Sequence, residues 1–475
     1  LTINSSQAEP TQIGEGVELV NGIIGYGCHI FYGCKAVRFV LGDNSNLKYG
    51  ARLINSFLGD NSTISCCEVL NTLIFPAHEQ HHNNSFLVAG VEMGQSNIAA
   101  GATIGSNHNS RANDNEIQAG RGFWPGLCTS VKHSCRFASF VLISKADYPA
   151  ELDIPLPFSL LNNNATLNRL EIMPAFWWMY NMYALARNGA KYRSRDKRKN
   201  KKQNIEFECL APDTIEEIFA ACRLLEIWTA RAWLRSAGRP EDGVSEQALA
   251  ARGRDLLSGP EEEVAHLEIL GENMERSSRK VVILKTWQAW RAYHDMIRYY
   301  GIKNLAAWIH AHPEAGFEAM QKALSGRRIE RWVNFGGQLM HEKETDRLRA
   351  DIVSGRLRDW QAIHRRYTSL WEKYPLAKQK HAFASLCSVL GVRRLNRKQW
   401  LAALEDSVRI QQFVSDQVYL SRKKDYDNPF HRATFRNDEE MAAAIGTIDE
   451  NDFIRQVREE SAEYLRLVAE IKQRS

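Results

Sequence analysis

No run of 18 or more apolar residues occurs in the 475-residue chain, so no membrane-spanning helix is expected. The longest apolar stretch, residues 172–186 with Phe176, Trp177, Trp178 and Tyr180, is too short to span and is broken by Asn181. Cysteine is scarce and scattered, with nine residues and no CxxC pair, so neither a zinc knuckle nor a disulfide framework is indicated. Reduced thiols in a cytoplasmic setting are the expectation. Neither sign of charge dominates, with 61 Lys and Arg against 56 Asp and Glu. The concentrated basic face of a nucleic-acid binder is therefore not expected. No leader pattern is visible. The chain opens on Leu1 and its repeats begin almost at once, as expected of a fragment that lacks earlier coils. Also missing is the alternation over short runs, bounded by hairpin turns, that a β-sandwich would show.

What is present is repetition of short phrases. Residues 1–160 are rich in Gly, Asn, Ser and single aliphatics, and Ile13-Gly-Glu-Gly, Ile24-Gly-Tyr-Gly, Leu41-Gly-Asp-Asn-Ser, Leu58-Gly-Asp-Asn-Ser and Ile104-Gly-Ser-Asn recur. The two LGDNS copies lie 17 residues apart, close to the roughly 18 residues of one three-sided coil. Aliphatics recur at six: Leu41, Leu47, Leu53, then Leu58, Ile64, Leu70, and later Ile98, Ile104. In such a coil each short strand turns one aliphatic inward, and each corner takes Gly, Asn or Asp because they tolerate left-handed backbone. One rung cannot bury its aliphatic alone, so coils stack. The expected fold is a left-handed parallel β-helix of hexapeptide repeats over residues 1–160. Its regularity is lost between Phe75 and Asn97 and again after Asn107, and resumes near Cys128.

Residues 161–205 form an aromatic and basic connection. Residues 191–202 carry eight Lys or Arg and one acid, a run expected to be a solvated loop or, less ordinarily, an anionic-ligand patch. From residue 206 to 475 the period turns helical, predicting an all-α domain. Asp213-Thr214-Ile-Glu-Glu opens it with cap chemistry, and Ile283, Trp287, Trp290, His294 and Ile297 form a core-facing stripe. Arg276 and Lys280, with Glu272, read as surface pairs at helical spacing.

Departures from a repeat are where function tends to be mounted. Four of the 14 histidines, His78, His81, His82 and His108, fall within 31 positions. Because histidine and asparagine do not fill a prism core, these side chains are expected to point outward or lie on loops. An imidazole suits proton abstraction from a hydroxyl or amine, which makes His108 and then His82 the candidate bases. Gln80, His81, Asn83, Asn107, Asn109, Arg111 and Asn113 would orient a substrate. The two segments share one edge of the prism if the intervening loop absorbs their offset. Arg121, Trp124 and Lys132 suit an anionic, planar or sugar-bearing ligand through charge and stacking. A three-His metal site drawn from His81, His82, His108 and His133 is the competing chemistry, although adjacent strand residues face opposite ways; no metal is assigned.

The chain resembles the hexapeptide-repeat transferase superfamily in fold. More closely, it resembles a bacterial domain-of-unknown-function family in which such a β-helix precedes a large helical domain. The stretches that carry the likeness are HEQHHNNSFLVAG (78–90), IGSNHNSRAND (104–114), GRGFWPGLCTS (120–130), LPFSLL (156–161), ENMERSSRK (272–280) and FGGQLM (335–340). The superfamily resemblance implies acyl transfer from acyl-CoA or an acyl-carrier protein to a sugar or amine, a catalytic His, and trimers. The expectation is therefore a cytoplasmic acyltransferase-like enzyme with acyl-CoA as co-substrate, a small anionic or sugar substrate such as a nucleotide-sugar, and no nucleic-acid partner. The alternatives are a non-catalytic sugar-nucleotide scaffold and a His-ligated metal enzyme.

Overall fold

The computed structural model describes residues 1–105, 115–241 and 243–474. Its N-terminal part is a parallel β-solenoid of about nine turns. On the first face, Glu18 pairs with Lys35, Lys35 with Arg52, Arg52 with Glu68, Glu68 with Phe86, Phe86 with Thr103, Thr103 with Ser130 and Ser130 with Asp147, all parallel. The second face stacks Phe57–Leu58, Leu73–Ile74, Gly90–Glu92, Ile117–Ala119 and Arg136–Phe137. The third stacks His29–Ile30, Asn46–Lys48, Thr63–Ser65 and Glu79–Gln80.

The inward positions follow the six-residue period except at Leu70, which is half-buried while Val69 is 0% exposed in its place. Leu41, Leu47, Leu53, Leu58, Ile64, Ile98 and Ile104 are all at most 1% exposed, each burial worth about 1.5–3 kcal/mol. Corners lie in left-handed backbone. Asn21, Arg38, Asn55, Asn71 and Ala89 take positive φ at the first corner, Asn44, Asn61, Ala77 and Gln95 at the second, and Tyr49, Cys66 and Asn84 at the third. Asparagine tolerates this conformation better than most residues, and at the first corner its amides form a ladder, Asn55 Nδ2 donating to Asn71 Oδ1 at 3.0 Å.

Coiling does not lapse where the sequence pattern does. Leu73–Ile74, Glu79–Gln80, Phe86–Val88 and Gly90–Glu92 all pair in register, and the second face resumes at Ile117–Ala119, well before Cys128. The expected interruption over Phe75–Asn97 is therefore a change in what faces inward and not a break in the coil. The stack runs on to Leu160–Asn164, where the antiparallel strand Arg169–Met173 closes it and receives Lys280–Ile283.

The remainder is largely helical. Pro212–Ser236 packs on Glu246–Ser258 and Thr286–Ala311, Trp360–Val389 lies along Thr286–Ala311, and Arg397–Asp427 packs on both Asp452–Arg474 and Met182–Arg195. The Thr214 hydroxyl accepts from the Ala211 N–H at 3.0 Å and so caps the first long helix. Residues 272–280 are not helical. Glu275 pairs with Arg279 and Arg276 with Glu151, so the expected Glu272–Arg276 and Arg276–Lys280 pairs do not form. The apolar core is continuous from Ile24 of the solenoid to Val457 of the last helix. Among the described residues no helix is long and apolar enough to cross a membrane.

Candidate functional site

After Glu79–Gln80 the chain turns the third corner through His81, His82, Asn83 and Asn84, all exposed, and re-enters the first face at Phe86. Strand alternation sends Gln80 inward and puts Glu79 and His81 on the same outward side. His81 Nδ1 lies 3.1 Å from Glu79 Oε2, with 38% of the His81 side chain exposed against 9% for Glu79. The other Glu79 oxygen accepts from Arg195 Nη1 at 2.7 Å. Burial would raise the Glu79 pKa, but the His81 hydrogen bond and the charges of Lys191 and Arg195 outweigh it and hold the carboxyl below its ordinary range. The His82 ring packs against His81 with centroids 4.3 Å apart.

Arg195 ends the helix Met182–Arg195, which is fastened across the third face. Its Tyr192 hydroxyl donates to the Ser96 carbonyl at 3.0 Å and its Asn188 amide donates to the Gln95 carbonyl at 3.3 Å. Lys191, on the same helix, is largely buried, and burial pushes its ammonium down to about 8 despite the opposing pull of Glu79. Residues 196–202 lie outside the helix and most cations of the run are exposed, as expected of a solvated loop, whereas Lys191 and Arg198 depart from that expectation. Arg198 is 4% exposed and donates to Asp60 at 2.7 Å and to Asp196 at 2.8 Å.

The structure separates the other sequence candidates. His78 and Gln80 are fully buried inside the prism, against the expectation that such side chains face outward. There His78 Nδ1 meets Ser96 Oγ at 2.8 Å, its Nε2 meets Gln80 Oε1 at 3.2 Å, and Gln80 donates to Ser85 Oγ at 3.0 Å. Glu92, also fully buried, takes the inward place that Ile74 holds one coil before. Its carboxyl oxygens make no hydrogen bond of ordinary length among the described residues, and Oε2 lies 3.7 Å from His78 Nδ1. Burial raises its pKa to about 8 and lowers that of His78 to about 4.

Arg121, expected to read an anionic ligand, is 2% exposed and lies at the second corner. It forks onto Asp213 at 2.8 and 2.9 Å and donates to Gln95 and to the carbonyls of Glu206 and Glu208. All its directions are spent on joining prism to helices. Trp124 packs on Trp177 with centroids 5.6 Å apart, and Lys132 pairs with Glu151 at 3.1 Å. Asn107, His108, Asn109, Arg111 and Asn113 lie outside the described residues. The described strands on either side of them are Thr103–Ile104 on the first face and Ile117–Ala119 on the second. His81 and His82 stand at the third corner. The expectation that the two segments share one edge of the prism falls on residues outside those described.

Sequence reasoning left Glu79, Arg187, Lys191 and Arg195 unassigned. Glu79 stands inside the histidine phrase, and the basic run was visible, but nothing local links the two.

Residues 1–228 match the family model described as a domain of unknown function (DUF4954). That span takes in the whole solenoid and the helix Met182–Arg195. The chain is also 49% identical over 476 residues to a protein of Treponema pallidum (strain Nichols) named "Uncharacterized protein". The match covers 99% of this chain and 63% of that relative, so the chain spans rather less than two thirds of the relative's length.

Proposed function

We propose that the chain is a transferase acting on a small anionic or sugar-bearing molecule at the third corner, with His81 as general base. The observation that supports this reading is the outward His81–Glu79 pair at 3.1 Å, with the carboxylate nearly buried and the imidazole open to solvent. A carboxylate on Nδ1 fixes the tautomer and leaves Nε2 as the acceptor for a proton. His82 and Asn83, exposed on the same turn, would contact the substrate, and His108 remains a second candidate base.

The resemblance to hexapeptide-repeat enzymes suggests acyl transfer. The substrate's amine or hydroxyl attacks the thioester carbonyl of an acyl-CoA, Nε2 of His81 takes the nucleophile's proton, and the thiolate leaves and is protonated. The test follows release of free thiol from acyl-CoA donors in the presence of nucleotide-sugars. His81→Ala and Glu79→Gln are each expected to lower turnover, the first by about 10²–10⁴-fold as for a general base, with His82→Ala and His108→Ala run beside them. Turnover that survives the loss of His81 ends this assignment. The alternative, a non-catalytic sugar-nucleotide scaffold, draws on the rigid second-corner joint made by Arg121 and Arg198. It predicts ligand binding with no turnover in any variant or in the wild type.

A further inference from the structure

The helix Met182–Arg195 contains no acidic residue, and its cations are stacked. Arg187, Lys191 and Arg195 follow one another at four-residue spacing, so they share one helix face. Ala190 and Ser194 are the small residues beside them. Like charges at this spacing repel and destabilise an isolated helix. Arg195 is compensated by Glu79 at 2.7 Å and Arg193 by Glu208 at 2.6 Å. Arg187 and Lys191 make no ion pair among the described residues, and their mid-helix positions deny them the stabilisation that a helix C-terminus gives a cation.

The stripe lines a hollow of about 410 Å³, closed on its other side by Phe453 and Gln456 of the helix Asp452–Arg474. Small side chains at positions 190 and 194 leave that space open between the cations.

We propose that this hollow binds the phosphate or diphosphate group of a small phosphorylated molecule, with Arg187 and Lys191, which make no ion pair among the described residues, as its ligands. A phosphate offers several acceptor oxygens, so an arginine fork and an ammonium can engage it together. Phe453 supplies a flat apolar wall for whatever the phosphate is attached to, and Gln456 a neutral amide. Because Glu79 bridges Arg195 of this hollow to His81, a ligand held there would have its far end at the third corner. This last step deepens the substrate reading above and rests on it; the binding itself does not.

The experiment titrates inorganic pyrophosphate into the intact chain by calorimetry, with no acyl donor present, so that it reports binding independently of catalysis. Saturable one-site binding is expected, weakened about tenfold or more by Arg187→Gln and by Lys191→Gln. The double variant Lys197→Gln, Lys199→Gln removes twice that charge from the exposed part of the basic run and is expected to leave affinity unchanged. The thermal melt of Arg187→Gln should match or exceed the wild type, since it relieves a like-charge contact, and Lys191→Gln, which also loses the attraction of Glu79, should keep a single cooperative transition, which keeps loss of binding distinct from loss of fold. Absence of saturable binding, or equal weakening by the control pair, overturns the proposal. So does sedimentation with phosphatidylglycerol vesicles that depends on Arg187 and Lys191 but is not competed by pyrophosphate, because the anion would then be a lipid surface. If pyrophosphate binds as described but His81→Ala leaves turnover intact, the hollow stands and the catalytic assignment fails.

Discussion

Along the second corner of the prism, polar groups are spent on the segments docked there: Arg121 on Asp213, Asp60 on Arg198, and the Ser139 N–H on Glu217. Along the third corner the same kind of left-handed turn presents His81, His82, Asn83 and Asn84 to solvent. A repeated coil offers three equivalent edges, and the difference between these two comes from what is docked on each. Buried cations with all their donors engaged hold the molecule together, whereas cations with space in front of them remain available to a ligand.

Removing the Arg121 side chain tests that contrast most severely. Arg121→Ala leaves Asp213 buried without its partner, and a loss of about 3–5 kcal/mol is expected, read as a lower urea midpoint at unchanged slope. A loss near the surface-residue scale would mean that the second corner is not the joint described.

The polar layer between the two corners should respond to pH. With its pKa raised to about 8, Glu92 keeps its proton in the folded state where the unfolded chain has lost it, so it lowers stability as pH rises from the unfolded carboxyl value toward 8. His78, lowered to about 4, acts in the opposite sense, raising stability as pH rises between about 4 and its unfolded value near 6.5. The two offset each other below about pH 6.5, and above it the contribution of Glu92 continues, joined up to about pH 7 by the buried carboxyl of Glu217. Glu92 is therefore expected to remove about 2 kcal/mol of stability between pH 6.5 and 8, and Glu92→Gln should take that part out of the slope. A slope unchanged in the variant would assign the pH response elsewhere.

At the first corner, Asn55 sits at φ 49° with its amide in the ladder. Asn55→Ala should cost about 1 kcal/mol, and Asn55→Gly less, since only the first adds left-handed strain. Equal losses would point to the lost hydrogen bonds alone. The smallest effect belongs to the third corner, where His81→Asn should alter stability by no more than about 0.5 kcal/mol. A large loss there would make His81 a structural residue and dissolve the contrast between the corners.

Much of the solenoid was legible in the sequence because a six-residue period leaves few alternatives. Leu41, Leu47, Leu53, Leu58 and Ile64 follow the inward positions, and the two GDN phrases fall at corners. The coil around His78, Gln80 and Glu92 was misread as an interruption, since a buried polar layer erases the hydrophobic signal while the backbone ladder continues. Of the site, the histidine phrase and the basic run could be seen separately. Arg121 looked like a ligand-reading residue, and its true partner lies 92 positions away. Arg198 meets Asp60 across 138 positions. A charge does not announce its distant counterion.

The sequence by itself determined that the chain coils, where its aliphatics point and which turns need left-handed backbone, because each of these follows from interactions within one coil or between neighbouring coils. Only the tertiary structure decided that the second corner is buried under the helices, that Glu79 connects His81 to Arg195, and that Arg187 and Lys191 face a hollow and make no ion pair among the described residues. Those outcomes depend on how a helical region packs against an already formed prism, through pairings that local periodicity does not encode.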